Sequence, residues 1–222
     1  MNAATSDGRL RALVFDFDGV VLESAEVKTE AFVALFGHLP PEQVAEVRRH
    51  HLANLGISRF KKFAWIYQHV IGQPLSDDDS RGLGERFSQL ALDRVLAAPF
   101  VPGAEAALAA LGPRYPLFVA SGTPQDELAL VVARRGLAGT FREVWGTPTE
   151  KPQILADVMA RHSLAPGEVL FIGDGMSDYK AARATGVEFL ARDTAALHDE
   201  WVALGARRVN DLTTLPELVT TW

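Results

Sequence analysis

The feature that most constrains this chain is a set of short apolar runs, each breaking off into polar residues, with helical patterns between them. Four are strong: Arg11–Asp18 (RALVFDFD), Pro116–Ser121 (PLFVAS), Glu168–Asp174 (EVLFIGD) and Val187–Arg192 (VEFLAR). A weaker fifth is Phe141–Gly146 (FREVWG). Runs this short and this apolar suit strands buried on both faces, as in a parallel sheet. Between them, PQDELALVVARRG (Pro124–Gly136) has helical spacing and closes on basic residues and glycine. KPQILADVMARHS carries proline just inside its start, and SDYKAARATG again ends in glycine. These are helix start and stop signals. Strand–helix–strand alternation from Pro116 onward predicts an α/β fold with a doubly wound, Rossmann-like parallel sheet.

From Leu22 to Ala98 the pattern changes. Four stretches in succession (Ser24–Gly37, Pro41–Gly56, Ile57–Gly72 and Ser76–Ala97) place apolar residues at helical spacing. A connection of about 75 residues is far longer than a normal strand-to-helix link. It reads as an inserted helical domain over residues 22–98, with residues 1–21 and 99–222 forming the sheet domain. The exits fall near Leu22 and near APFVPG (Ala98–Gly103), where prolines break the periodicity. Ser76 followed by Asp77, Asp78 and Asp79 reads as an N-cap with first-turn acids, not as a site.

Composition narrows the chemistry. Lys and Arg number 22 against 28 Asp and Glu, a net charge of -6, which leaves no basic excess for nucleic acid or an anionic membrane. With no cysteine, disulfides, thiolate metal sites and a cysteine nucleophile are excluded. The opening MNAATSDGR has no apolar leader core, and no run is long enough to span a bilayer. A cytoplasmic protein is the expectation, and its oligomeric state stays open.

Ligands of open parallel sheets bind beyond the carboxyl ends of the strands. The first strand ends there in Asp16 and Asp18, the second in Ser121, the third in Asp174, with Asp178 a turn later. Residues i and i+2 of an extended segment face the same side, so Asp16 and Asp18 can share one site. A single Asp-x-Asp is more often a turn feature, and GDGMSD alone could be a turn with Ser177 or Asp178 capping a helix. Two acidic clusters at ends of buried strands point further. Crowded carboxylates repel unless a cation joins them, which predicts a divalent metal, Mg²⁺ for an all-oxygen donor set. Lys151 stands near a helix start, where a cation is disfavoured. It reads either as a solvated lysine or as part of an anion site with Ser121 and the backbone N–H of Gly122.

FDFDGV, Ser121 in VASGTP, Lys151 in EKPQ, and FIGDGMSD together resemble, in order, the four signature motifs of the haloacid dehalogenase superfamily. The helical insertion resembles the cap of the β-phosphoglucomutase and phosphoglycolate phosphatase branch. The resemblance implies a phosphomonoester hydrolase acting on a small phosphorylated metabolite. Asp16 would be the nucleophile, forming an aspartyl-phosphate, and Asp18 the general acid and then base. Asp16, the backbone carbonyl of Asp18, and Asp174 would hold Mg²⁺, with Asp178 in support. Ser121, Gly122 and Lys151 would bind the phosphoryl group. Asp18 sets the chain apart from the dehalogenases, whose leaving group needs no proton. GISRF (Gly56–Phe60) resembles a mutase segment whose arginine contacts substrate, making Arg59 the specificity candidate against a plain surface arginine. Lys28 stands where the mutase branch carries a histidine. Lys28, Lys61 and Lys62 all read as solvated, and His50 and His51 as surface or capping residues. Two alternatives remain: a phosphotransferase or sugar-phosphate mutase on the same scaffold, and a non-enzymatic phospho-acceptor domain.

Overall fold

The structure is a computed structural model and describes residues 9–222. The opening stretch read for a leader, residues 1–8, lies outside the described residues. β1 (Ala12–Phe15) enters the sheet at its centre. The chain then leaves for four helices, α1 (Ala25–Leu35), α2 (Pro41–Ala53), α3 (Arg59–Ile66) and α4 (Asp77–Ala97). α5 (Ala104–Leu111) leads back to β2 (Leu117–Pro124). Strands and helices alternate from there: α6 (Gln125–Arg134), β3 (Glu143–Thr147), α7 (Lys151–His162), β4 (Val169–Gly173) and α8 (Met176–Thr185). β5 (Glu188–Arg192), α9 (His198–Leu204), β6 (Arg208–Val209) and α10 (Leu215–Thr220) complete the chain. The six strands are all parallel, in the order β3-β2-β1-β4-β5-β6. The α/β doubly wound sheet is therefore present as expected. β6 is an addition, formed by pairing with β5 rather than announced by an apolar run.

The central strands are buried on both faces, which is why they read as unbroken apolar runs. In register, Leu13 lies between Leu117 and Leu170, and Phe15 between Val119 and Ile172. These face one apolar layer with Leu108 and Leu111 of α5, Leu128 and Val131 of α6, and Leu215 of α10. Val14, flanked by Phe118 and Phe171, faces the other layer with Ile154, Leu155 and Val158 of α7 and Ala181 of α8. Fully burying one such side chain contributes about 1.5–3 kcal/mol.

The four helices between β1 and α5 pack around their own aromatic centre. The Phe32 ring stands 5.6 Å from Phe63 and 4.7 Å from Phe87. Ser76 caps α4 as expected, its Oγ accepting from the Asp79 N–H at 3.1 Å. The segments leaving and rejoining the sheet layer run side by side. The Glu23 N–H donates to Pro99 O at 2.9 Å, and the Val101 N–H to Val21 O at 3.0 Å. Among the described residues, no helix is long and apolar enough to cross a membrane.

Candidate active site

β2, β1 and β4 are neighbours at the middle of the sheet, so the residues at their carboxyl ends converge; β2 runs past its expected end at Ser121 to Pro124. Chain order reverses direction across β1 and β4, which makes the crevice at their carboxyl ends the expected ligand position. Asp16 directly follows β1, and its N–H donates to Ile172 O at 2.8 Å. Asp174 directly follows β4, and Asp178 sits in the first turn of α8. Carboxylate oxygens of Asp16, Asp174 and Asp178 all lie within 4.8 Å of one another, and all three residues are buried. Gly19 makes this approach possible. Its φ is +81°, and a Cβ there would come within 2.0 Å of Asp174 Oδ2.

Lys151 sits among these carboxylates, which explains a lysine at the start of α7. Its Nζ lies 2.8 Å from Asp16 Oδ2 and 2.5 Å from Asp178 Oδ1. Burial, reinforced by the Asp178 charge, outweighs the pull of Lys151 and leaves the Asp16 carboxyl raised to about 7. Burial, together with Asp16 and Asp178, raises Asp174 well above the usual carboxylate range. Burial alone would lower Lys151, but the two carboxylates outweigh it and hold its ammonium above its ordinary value. Three carboxylates against one ammonium leave excess negative charge in a dry place. The donor set is all oxygen, so the residues fit a hard divalent cation such as Mg²⁺.

Asp18 has the opposite environment. Ser24 Oγ donates to its Oδ1 at 2.6 Å, Thr123 Oγ1 donates to its Oδ2 at 2.9 Å, and Lys28 Nζ also donates to Oδ2. Burial opposes ionisation, but the Lys28 charge and these hydrogen bonds outweigh it and hold Asp18 below its usual value. Two carboxylates one residue apart are thus pushed in opposite directions, a pattern typical of an acid/base site. Ser121 is buried beside them, its Oγ accepting the Thr123 N–H at 3.1 Å. Thr123, Ser24 and Lys28 join the site beyond the residues that the sequence motifs point to. Thr123 stands at i+2 from Ser121 on a strand, so alternation alone places it on the same side.

Several expectations for the helical layer change. Lys28 is not solvated: beyond Asp18, its Nζ also bonds Thr123 Oγ1 at 2.5 Å. Lys62 is buried, with Nζ 3.0 Å from His51 Nδ1. Lys61 is the exposed one, paired with Glu150 at 2.5 Å. His51 is buried rather than on the surface, while His50 stacks on Trp65 with ring centroids 3.6 Å apart. Arg59 is buried too. Its guanidinium forks onto Glu127 of α6 at 2.9 and 2.6 Å, donates to Ser88 at 2.8 Å and lies 4.4 Å from the Phe87 ring centroid. Ser177 does not cap α8: Gly175 takes that place, its N–H donating to Asp178 Oδ2 at 2.9 Å. Ser177 Oγ donates instead to Leu55 O at 2.7 Å, tying the turn before α3 to the sheet layer.

That turn lies directly over the site. A Cβ on Gly56 would stand 2.7 Å from Lys151 Nζ, and one on Gly122 would stand 2.5 Å from Gly56 O. Gly56, Ile57 and Gly122 line cavities on both sides of the turn. The cavity over Asp16, Asp18 and Asp174 is about 50 Å³ and is roofed by Phe32, Phe87 and Lys62. The other, about 470 Å³, opens beside Ser121 and Lys151.

A parallel α/β sheet with buried carboxylates at its switch point and a helical roof presents an acidic crevice at the usual ligand position of such sheets. The model of the haloacid dehalogenase-like hydrolases matches residues 10–186; the chain belongs to that family and is a phosphatase within it. A phosphoglycolate phosphatase of Synechococcus elongatus is 26% identical over 187 residues, covering 80% of this chain and 81% of the relative. A phosphoglycolate phosphatase of Shigella boydii is 28% identical over 200 residues, covering 80% and 79%. A putative β-phosphoglucomutase from Bacteroides vulgatus has the same fold, with TM-score 0.77 at 17% identity over 96% of this chain and 89% of that one.

Proposed function

We propose that this chain is a Mg²⁺-dependent phosphomonoesterase that cleaves a small phosphorylated metabolite, a sugar phosphate or phospho-acid, through an aspartyl-phosphate on Asp16. The observation that carries this reading is the pair of unlike aspartates in one cavity, Asp16 pushed up and paired with Lys151, Asp18 held down by Lys28, Ser24 and Thr123. A carboxylate of Asp16 attacks phosphorus, and the ester P–O bond breaks. A phosphoryl dianion placed against Asp16 adds negative charge beside Asp18 and raises its proton affinity. Asp18 thereby takes up a proton from solvent as the substrate binds and gives it to the leaving oxygen. As a carboxylate it next takes a proton from the water that attacks the acyl phosphate, and inorganic phosphate leaves. Dividing one displacement into two is the general advantage of covalent catalysis.

Ser121 Oγ, the Gly122 N–H and Lys151 Nζ surround the phosphoryl position, with Lys151 exchanging its carboxylate partners for phosphoryl oxygens. Asp16, Asp174 and the backbone carbonyl of Asp18, supported by Asp178, would hold Mg²⁺, whose charge offsets that of the transferring group. Residues 22–98 act as a cap on the core formed by 1–21 and 99–222, and the paired crossings at Val21–Glu23 and Pro99–Val101 are its hinge. Closure of the cap excludes bulk water. The relatives named as phosphoglycolate phosphatases agree with a small substrate, and a cytoplasmic location fits one. Phosphate release from a series of phosphorylated sugars and acids, with Mg²⁺ and no acceptor, tests this and separates hydrolysis from transfer. Asp16→Asn should lower turnover by about 10³-fold or more; wild-type turnover in that variant would refute the mechanism.

A further inference from the structure

We propose that Lys62 and His51 form the subsite that selects the substrate, taking a carboxylate carried on its leaving group. This rests on reading the cavity as a phosphomonoesterase site. Lys62 lines the same cavity as Asp16, Asp18 and Asp174 and is 3% exposed. Other cations held in or beside this cavity have carboxylate partners. Lys151 pairs with Asp16 and Asp178, Arg59 with Glu127, and Lys28 with Asp18. Lys62 has none: among the described residues its hydrogen-bond partner is His51 Nδ1 at 3.0 Å. A buried ammonium without a counter-charge is strongly unfavourable. Burial, with Lys28 and Lys151 nearby, outweighs the opposing charges of Asp174 and Asp18, neither of them within ion-pair distance, and brings it down to about 7.

His51 adds a second open position. Its Nε2 is buried with no hydrogen-bond partner. When the Lys62 ammonium donates to Nδ1, the neutral imidazole carries its own proton on Nε2. Lys62 and His51 both line the cavity, which then offers one cation with no carboxylate partner, 5.3 Å from the Phe32 ring centroid, and one N–H with no acceptor. A carboxylate supplies one negative charge and two acceptor oxygens, the complement of that pair. Phe32 and Phe87 line the cavity with apolar surface, so the interaction forms away from bulk water. At about 50 Å³ the cavity suits a leaving group of only a few heavy atoms. A second phosphate, tetrahedral and doubly charged, suits this space less well. Arg59 lines the cavity too, but its guanidinium is already matched by Glu127.

The test is a preference ratio, kcat/KM for 2-phosphoglycolate divided by kcat/KM for ethyl phosphate, measured for wild type, Lys62→Met and His51→Gln. Wild type should favour the carboxylated ester. Lys62→Met should reduce the ratio by about 30-fold, as expected for a buried charge-assisted hydrogen bond, mostly through KM for 2-phosphoglycolate. His51→Gln should reduce it less. Thermal unfolding without substrate guards against a folding artefact: removing an unmatched buried ammonium should leave Tm unchanged or raise it. A wild-type ratio near one, or a ratio unchanged in Lys62→Met, overturns the subsite while leaving the phosphomonoesterase reading standing. So does a bisphosphate outperforming 2-phosphoglycolate. Absence of Asp16-dependent phosphate release from any ester instead overturns the underlying reading.

Discussion

Replacing Arg59 with methionine removes one half of a buried ion pair and leaves the other half in place. Glu127, its side chain 12% exposed, accepts two hydrogen bonds from the guanidinium at 2.6 and 2.9 Å and one from Ser88 at 2.6 Å. Stripping the cation from such a pair costs about 3–5 kcal/mol, because an unmatched carboxylate stays in a low-dielectric place. Against a typical total of about 5–15 kcal/mol, that is a large share. At about 2–4 °C per kcal/mol for a chain of this size, Tm should fall by roughly 6–20 °C. Arg59→Met with Glu127→Leu removes both charges and should recover most of the loss, giving a coupling of about 2 kcal/mol or more in a double-mutant cycle. The pair also has a pH signature. Burial opposes ionisation of Glu127, but the hydrogen bonds and charge of Arg59 outweigh it, so the folded-state pKa lies below the ordinary 4.5. The stability it contributes is therefore fully present above about 4.5 and is lost as pH falls through the folded value. Thermal melts of the four proteins of the cycle across that range measure both effects. A Tm for Arg59→Met within about 2 °C of wild type, less than about 1 kcal/mol at this size, would refute the reasoning. Strictly additive losses in the double variant would do the same.

Other outcomes follow from the same geometry. Lys28→Met removes the charge that, against burial, holds Asp18 down, so the ionisation of Asp18 in the pH profile of kcat/KM should move to higher pH; superimposable profiles would discard that assignment. Asp174→Asn relieves repulsion among the three buried carboxylates, so it should raise Tm in the presence of a chelator. The same change should abolish the stabilisation by Mg²⁺, which for wild type reaches about 2.7 kcal/mol at 100-fold over Kd. A full Mg²⁺-dependent rise in Asp174→Asn would remove Asp174 from the metal set.

The sheet is legible because a strand buried on both faces leaves an unbroken apolar run, and β1 and β4 each stop one residue before an aspartate, while β2 runs on through Ser121 to Pro124. β6 is not, because Arg208 and Val209 become a strand only through their pairing with β5. The site aspartates are visible for a related reason: one acidic turn after a strand is ordinary, but two acidic clusters after buried strands of one parallel sheet meet at the same edge. Lys28 and Lys62, unlike the exposed Lys61, depart from the expectation because a charged residue on a helix looks the same in sequence whether it meets water or the interior. Lys28 is settled by Thr123, 95 positions away, and Arg59 by Glu127, 68 positions away. Only packing of the helical layer on the sheet supplies those partners. Ser177 shows the same limit at short range, since its hydroxyl goes to Leu55 O rather than to its own helix.

Where Gly122 meets Gly56, the helical and sheet layers touch through main chain, a Cβ on Gly122 standing 2.5 Å from Gly56 O. The side-chain ties between the layers, Arg59 to Glu127 and Lys28 to Asp18 and Thr123, do not involve Lys62 or His51. Residues such as Lys62 and His51 can therefore be exchanged without altering how the halves mate. Chains with this joint can diverge toward new metabolites by rewriting a few roof positions, while the machinery below is inherited unchanged.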